Sequence, residues 1–111
     1  MKRAFVEMPI FTKRWGELGL NDNDLGELQD FIMKNPNAGN IMEGTGGLTK
    51  LRWNLPSKGK SGGVRALYVD FTRQEKIILI NCYGKSAKDN ITDKEKVMYK
   101  ALIKSIKEEL E

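Results

Sequence analysis

Histidine is absent from this sequence, and Cys82 is its only cysteine. The first absence removes the commonest general base and the commonest ligand of transition metals. A single cysteine excludes an internal disulfide and leaves too few thiolates for the usual zinc sites. We therefore expect no metal and no cofactor. An enzyme built on this chain would take its chemistry from lysine, arginine, tyrosine or carboxylate side chains.

Long apolar runs are also missing. The longest extends from Ile77 to Ile80, which is far too short to cross a bilayer. The N-terminal stretch MKRAFVEMPIF lacks the apolar region of a signal peptide. A single cysteine also fits a reducing compartment. The sequence therefore predicts a cytoplasmic protein with no membrane partner.

Positive charge is concentrated in one segment. Residues 48–65 contain five cations and no acidic residue, whereas residues 1–47 contain five cations and seven anions. The net charge of +4 therefore comes from this segment rather than from a generally basic composition. A local patch of this kind indicates a polyanionic partner.

Apolar periodicity and turn residues divide the chain into seven elements. The predicted order is a strand at 2–8, a helix from Pro9 to Gly19, a helix from Asn21 or Asp22 to Lys34, strands at 48–55, 64–71 and 76–83, and a helix opened by the capping box of Thr92 and Glu95. The order β-α-α-β-β-β-α predicts one α+β domain over residues 1–111, with helices packed on an antiparallel meander.

Two further expectations concern the core. The predicted core includes Trp15, Leu51, Trp53, Leu55 and Cys82. The last helix is expected to pack through Val97, Met98, Ala101, Leu102, Ile106 and Leu110. The acidic residues of the second helix are interpreted as its solvated side; they are Asp22, Asp24, Glu27 and Asp30.

Alternation in the strand at 48–55 separates its side chains into two sets. Leu51 and Trp53 point to one face, and Lys50 and Arg52 point to the other. Residues two apart on a strand are separated by about 6.6 Å, close to the spacing of neighbouring phosphates on a nucleic-acid strand. Arg65, on the next antiparallel strand, reaches the same surface if the register allows. The pattern predicts a surface that binds phosphate groups.

Each of these features also has an ordinary structural interpretation. Charged strand residues usually form the solvated face of a half-buried sheet. Gly44 to Gly47 precedes a strand rather than a helix, so it is not a phosphate-binding P-loop. Cys82 has no histidine to activate it, which favours a structural thiol. Tyr68 and Tyr83 have core spacing, although their hydroxyls could also lie at the edge of the basic face.

Several segments together carry a family resemblance. They are PNAG at 36–39, GTGGLTKLRW at 44–53, SKGKSGG at 57–63, VRALY at 64–68 and IILINCYGKSAKDNITDKEK at 77–96. With the predicted order of elements, they make the chain resemble the RelE/HigB-like toxins of bacterial type II toxin–antitoxin systems, most closely the HigB2-like branch. Members of this family are small ribosome-dependent mRNA endonucleases, so the resemblance implies the RelE-like fold and this activity.

The resemblance also implies a mechanism and a set of residues. The 2′-hydroxyl would attack the adjacent phosphate in the ribosomal A site and leave a 2′,3′-cyclic phosphate, without a metal. Lys50 and Arg52 match the paired basic residues of the family, Arg65 matches its transition-state arginine, and Lys85 falls where another basic residue often lies. Lys50 is expected to transfer protons, although general base and general acid are not assigned by the sequence. The residues expected to bind RNA are Lys58, Lys60, Tyr83 and Lys88.

The chain departs from this family in one respect. Family members often carry a tyrosine in the C-terminal segment that stacks on a base, whereas residues 86–93 contain no aromatic residue. Tyr83 is a possible substitute, and Tyr99 is expected to lie too far along the last helix.

The resemblance implies three partners: a cognate antitoxin, the ribosome and mRNA. Two alternatives use the same fold without cleavage, namely inhibition of DNA gyrase by protein contact and simple RNA binding. The presence of Lys50, Arg52 and Arg65 favours the nuclease.

Overall fold

A computed structural model of the chain describes residues 2–54, 63–85, 87 and 90–111. Its elements are β1 (Ala4–Glu7), α1 (Pro9–Glu17), α2 (Asp22–Lys34), β2 (Asn40–Ile41), β3 (Thr49–Asn54), β4 (Gly63–Phe71), β5 (Lys76–Gly84) and α3 (Asp93–Leu110). The predicted α+β class and the order of the seven expected elements are confirmed. The structure adds the two-residue strand β2 in the loop that precedes β3.

The five strands form one sheet in the order β1-β5-β4-β3-β2. The pairs β2–β3, β3–β4 and β4–β5 are antiparallel, as the meander predicts, but β1 runs parallel to β5. The expectation of a purely antiparallel sheet is therefore wrong at this edge. The meander leaves the outer edge of β5 unpaired, and the N-terminal strand pairs with its first part, from Lys76 to Leu79, with Ala4 opposite Lys76.

Local capping interactions fix the helix boundaries. Asn21 caps α2, and its side chain accepts a hydrogen bond from the backbone N–H of Asp24, whose carboxylate accepts one from the N–H of Asn21. Asp24 is consequently buried, so the expectation that it lies on the solvated side is wrong. Thr92 and Glu95 form the predicted capping box of α3.

Both faces of the sheet are covered by helices. On one face α1 and α2 enclose an apolar cluster; its buried members include Phe11, Trp15, Leu28, Leu51, Trp53, Ala66, Leu79 and Cys82. On the other face α3 covers a second cluster, whose buried members are Leu48, Leu67, Val69, Phe71, Ile78, Ile80 and Ile103. The predicted core positions of both tryptophans and of Cys82 are confirmed, and Leu55 lies outside the described residues.

The prediction for the packed side of α3 is confirmed in part, because Leu102, Ile106 and Leu110 pack against the second cluster as expected. Ile103 is buried, and Tyr99, Leu102 and Ile106 pack partly buried against the same cluster. Val97 and Met98 are instead exposed, with 69% and 58% of their surfaces accessible. The helix carries apolar residues around much of its circumference, so Tyr99, Ile103 and Ile106 form a stripe as regular as the expected one. Within the described residues, none of the helices combines the length and apolar character needed to cross a membrane.

The GTGG motif forms the turn that leads into β3. Gly46 and Gly47 have φ angles of 78° and 116°, conformations that favour glycine. The buried Thr45 hydroxyl donates to the carbonyl of Met42 at 2.6 Å and accepts from the N–H of Leu48 at 3.0 Å. This turn therefore sets where β3 begins and which of its residues face α3.

The PNAG motif brings the chain close to β3 just before β2. A Cβ atom at Gly39 would lie 2.5 Å from Cγ2 of Thr49 and 3.2 Å from the carbonyl oxygen of Lys50. Any side chain at Gly39 would therefore push against the strand that carries the basic residues.

We predict that Gly39→Ala lowers the free energy of unfolding by about 1–3 kcal/mol, because the methyl group overpacks against β3. Gly26→Ala is the matched control, since a Cβ at Gly26 meets nothing within 4 Å. This control should raise stability by up to about 1 kcal/mol through helix propensity. Chemical denaturation measures both changes, and equal effects of the two substitutions would contradict the prediction.

Cys82 is fully buried between the sheet and α1, where its Sγ lies 3.7 Å from the carbonyl oxygen of Phe11. Burial raises the pKa of the thiol from 9.0 to about 12. At pH values between these two pKa values, the thiol of the unfolded chain has lost its proton, whereas the thiol of the folded protein keeps it. Because the unfolded state then binds fewer protons, stability falls as pH rises through this window.

The Cys82→Ala variant removes this pH dependence. The stability of the wild-type protein relative to Cys82→Ala should fall by about 1 kcal/mol between pH 9 and pH 10. Using the variant as reference cancels the contribution of Tyr68, whose pKa is also raised by burial. Denaturant titrations at several pH values measure the difference. A difference that stays constant with pH would rule out this account of Cys82.

Candidate nucleic-acid interface

A bulge in β5 determines which of its side chains share a face with the basic residues. Leu67 lies opposite Asn81, but Tyr68 lies opposite Leu79, so Ile80 is an extra residue in β5. From this point on, the side chains of β5 alternate between the two faces of the sheet with a shift of one residue. Cys82 therefore packs on the face of α1, while Asn81 and Tyr83 lie on the face of α3.

The sheet register aligns the predicted site residues in two rows. In the first row Arg52 lies opposite Arg65, which lies opposite Tyr83. In the second row Lys50, Leu67 and Asn81 are neighbours across the same three strands. Neighbouring strands are about 4.8 Å apart, so each row extends about 10 Å.

All of these side chains lie on the face of α3. The residues that alternate with them, Leu51, Trp53, Val64 and Ala66, are buried in the cluster under α1 and α2. Lys50 and Arg65 are half-buried and Arg52 is exposed. The prediction that Arg65 reaches the surface of Lys50 and Arg52 is therefore confirmed by the register.

The face is divided along its length. At the beginning of β3 and the end of β4 it is apolar and lies under α3, with Leu48 and Val69 in the buried cluster. At the other end of the same strands it carries the two rows. The boundary arises because the chain changes from Leu48, just before β3, to Lys50 and Arg52 within β3. In β4 the change from Leu67 to Arg65 occurs in the same direction across the sheet.

Two arginines directly opposite each other on neighbouring strands suit the binding of a phosphate. Like charges directly opposite each other on antiparallel strands are destabilising. An anion between Arg52 and Arg65 would offset this repulsion, and each planar fork can donate two hydrogen bonds to phosphate oxygens. The segment between Leu48 and Val69 itself contains no acidic residue.

Lys85 extends this basic region at the end of β5. Its backbone N–H donates to the carbonyl of Gly63 at 3.3 Å. Its side chain passes over Gly63, where an added Cβ would be 3.1 Å from Cδ of Lys85. Gly63 is two residues from Arg65, which places the Lys85 backbone about 7–8 Å from that of Arg65.

The structure thus brings together five of the predicted site residues: Lys50, Arg52, Arg65, Tyr83 and Lys85. Lys58, Lys60 and Lys88 lie outside the described residues. Within the part of the chain that the structure describes, no three His, Cys, Asp or Glu residues lie close enough together to hold a metal ion.

Sequence reasoning missed three residues that lie in these rows or next to them. Arg14, Asn81 and Tyr99 line a cleft of about 180 Å³ together with Tyr83. The expectation that Tyr99 lies too far along the helix is wrong, because its hydroxyl accepts a hydrogen bond from Asn81 at 3.1 Å. Asn81 interrupts an apolar strand and could have been noticed for that reason, whereas no local pattern marks Arg14.

Comparisons with known proteins show the family and the fold of the chain. A family model described as the RelE toxin of the RelE/RelB toxin–antitoxin system matches residues 9–111. A structure of a mutant of the E. coli toxin RelE with two arginine-to-alanine substitutions, in the free state, superposes with a TM-score of 0.58. That match has 16% sequence identity and covers 93% of this chain and 98% of that chain, and it shows the same fold. The chain therefore belongs to the RelE toxin family, which makes it a toxin of a toxin–antitoxin system and implies an antitoxin partner.

Proposed function

We propose that this toxin is a ribosome-dependent mRNA endonuclease of the HigB2-like branch, which cuts mRNA in the ribosomal A site and so stops translation. The observation that carries the proposal is the row Arg52–Arg65–Tyr83 with Lys50 and Lys85 beside it. Endoribonuclease activity is also the general kind known for RelE-family toxins, and the family match spans nearly the whole chain.

The proposed reaction needs only groups that this surface contains. A base removes the proton of the 2′-hydroxyl, whose oxygen forms a bond to the adjacent phosphorus. The bond from phosphorus to the 5′-oxygen breaks, and an acid gives that oxygen a proton. The products are a 2′,3′-cyclic phosphate and a 5′-hydroxyl. Lysine and arginine supply the positive charge that a metal ion supplies in other nucleases, so the proposed reaction is metal-independent.

Burial and position suggest roles for the cations. Arg65 is half-buried in the central strand, between its cross-strand neighbours Arg52 and Tyr83. A guanidinium group held in this way is suited to stabilise the pentacoordinate phosphate. Arg52 is more exposed and would bind the phosphate as the RNA enters. Lys50, about 6.6 Å from Arg52 along β3, is proposed to transfer a proton, and Lys85 to stabilise charge from the other side.

RNA outside the reacting phosphate needs further contacts. Lys58, Lys60 and Lys88 are proposed to bind the backbone of messenger or ribosomal RNA through interactions that weaken with salt. Tyr83 lies at the end of the arginine row, where its ring can stack on a base.

Cleavage is tested with purified protein and translating ribosomes by mapping new mRNA 5′ ends. The wild-type protein should produce ends inside A-site codons, and Arg65→Ala should lower the rate about 100-fold or more, as for loss of one transition-state donor. Arg73→Ala is the matched control, because Arg73 is exposed in the turn at the far end of the β4–β5 hairpin. It should cleave at the wild-type rate.

Other outcomes of this assay would refute the nuclease. Intact mRNA together with inhibited DNA supercoiling would identify a gyrase inhibitor, and intact mRNA with retained RNA binding would identify a binding module. Mass spectrometry of the upstream fragments tests the proposed chemistry, since a 3′-phosphate formed without a cyclic intermediate would contradict it.

Expression of the chain alone should stop bacterial growth, because the basic rows are then not covered by an antitoxin. The Arg65→Ala variant, expressed at the same level, should permit growth. We propose that the antitoxin covers the basic sheet face or displaces α3. Unchanged growth with soluble, folded wild-type protein would contradict the proposed toxicity of this surface.

A further inference from the structure

The arginine row, which consists of Arg52, Arg65 and Tyr83, ends at the outer edge of β5. β5 follows β4 in the strand order, and β1 pairs with it only as far as Leu79. Beyond this residue no described strand continues the sheet on that side. Side chains of α1 lie beside this open edge instead, and Arg14 is one of them.

Two contacts hold α1 against the end of β5. The Sγ atom of Cys82 lies 3.7 Å from the carbonyl oxygen of Phe11. At the other end of the helix, a Cβ at Gly84 would lie 3.3 Å from Cδ2 of Leu18, so the glycine allows a close approach of helix and strand. Arg14 is an exposed residue in the last turn of α1, between these two contact points. The backbone that carries Arg14 is therefore fixed relative to the end of β5.

The Arg14 side chain borders two clefts at this edge. It lines the cleft of Asn81 and Tyr83 on the face of α3. It also lines a second cleft of about 230 Å³, to which Cys82 and Tyr83 contribute from β5. Because Arg14 and Tyr83 line both clefts, the guanidinium group lies next to the last residue of the arginine row.

The charge of Arg14 acts on the end of β5. Burial raises the pKa of the Cys82 thiol, and the positive charge of Arg14 opposes this shift. Two carboxylates line the same clefts, those of Glu17 and Glu95, but no described residue forms an ion pair with Arg14. The Glu95 carboxylate instead accepts hydrogen bonds from the N–H and the hydroxyl of Thr92. The Arg14 guanidinium therefore has donors available for an anion.

The position of Arg14 suits a second phosphate of a bound RNA. Neighbouring strands are about 4.8 Å apart, so a group just beyond the outer edge of β5 lies about 10 Å from the Arg65 backbone. An RNA strand that follows the row from Arg52 through Arg65 brings its next phosphate to this edge. A guanidinium group can donate two parallel hydrogen bonds to that phosphate. A favourable interaction with the helix dipole also suits an arginine in the last turn, but it leaves these donors unused.

We propose that Arg14 is a positioning residue that binds the phosphate next to the reacting one, where the RNA backbone crosses the outer edge of β5. The inference rests on RNA being the ligand of the basic rows, as in the proposed function. Messenger and ribosomal RNA contain the same phosphodiester group, and the contact of Arg14 with the arginine row favours the messenger. The proposal adds a residue of α1 to a surface otherwise built from the sheet.

The test uses fluorescein-labelled single-stranded RNA with 2′-O-methyl groups on every ribose, which lacks the attacking hydroxyl. Fluorescence anisotropy over a range of KCl concentrations gives the affinity and its dependence on salt. Arg14→Gln should weaken binding about 2- to 5-fold at low salt. It should also make the slope of log K against log salt shallower by about 0.7, the value for one phosphate contact on a single strand.

Two variants separate this contact from net charge and from folding. Arg14→Lys keeps the charge and should retain most of the slope. Lys13→Gln is the matched control, because Lys13 is an exposed cation of the same helix that lines neither cleft. This control should keep the wild-type slope. Thermal unfolding confirms that each variant is folded at the assay temperature.

Probes with a single uncharged methylphosphonate locate the contact along the RNA. Replacing a phosphate that a side chain binds should weaken binding to the wild-type protein but not to a variant that lacks this side chain. The linkage identified in this way with Arg14→Gln should be the neighbour of the linkage identified with Arg65→Ala.

Four results would overturn the inference: absence of RNA binding by the wild-type protein, a wild-type slope in Arg14→Gln, an equal loss in Lys13→Gln, or linkages that are not neighbours. Normal binding of Arg14→Gln to the probe with weaker binding to ribosomes would assign Arg14 to ribosomal RNA and also contradict it. None of these depends on cleavage. The proposed nuclease fails instead if wild-type protein leaves mRNA intact on translating ribosomes, so the two failures are distinguishable.

Discussion

β4 is paired with β3 on one side and with β5 on the other, and most of its side chains are buried. The register of these two pairings decides what lies beside Arg65. The bulge at Ile80 is the critical feature, because a strand of regular alternation would turn Asn81 and Tyr83 into the core under α1 and bring Cys82 to the basic face. One additional residue therefore places a polar amide and an aromatic ring beside the arginines and buries the thiol.

The second constraint is the placement of two kinds of surface on one sheet face. The part under α3 is apolar and the part beyond it is basic, so the helix must cover the first without covering the second. The capping box of Thr92 and Glu95 fixes where the helix starts, and Ile103 fixes its contact with the sheet. The cleft lies where these requirements meet, between the helix start and the end of β5.

The sequence predicted those features that depend on local interactions. The helix boundaries follow from capping residues and from Pro9. Alternation along β3 was enough to place Lys50 and Arg52 on one face of the sheet and Leu51 and Trp53 on the other. The bulge has no comparable signal, since Ile80 is as apolar as its neighbours in an unbroken run. The parallel pairing of β1 and the packed side of α3 also depend on tertiary contacts. Tyr99 was misplaced because the helix offers two apolar stripes of similar regularity.

The parallel pairing of β1 with β5 has a consequence for the order in which the molecule is assembled. β1 is synthesised before the other four strands, but Phe5 cannot pair with Ile77 until the fifth strand has been made. Arg65 and Tyr83 become neighbours only at that stage, and the cleft is complete only when α3 has also formed. Pairing between strands that are far apart in the chain is slow, because closing the long loop costs entropy. A toxin with this topology therefore completes the surface that carries the basic rows only after both β5 and α3 have been synthesised.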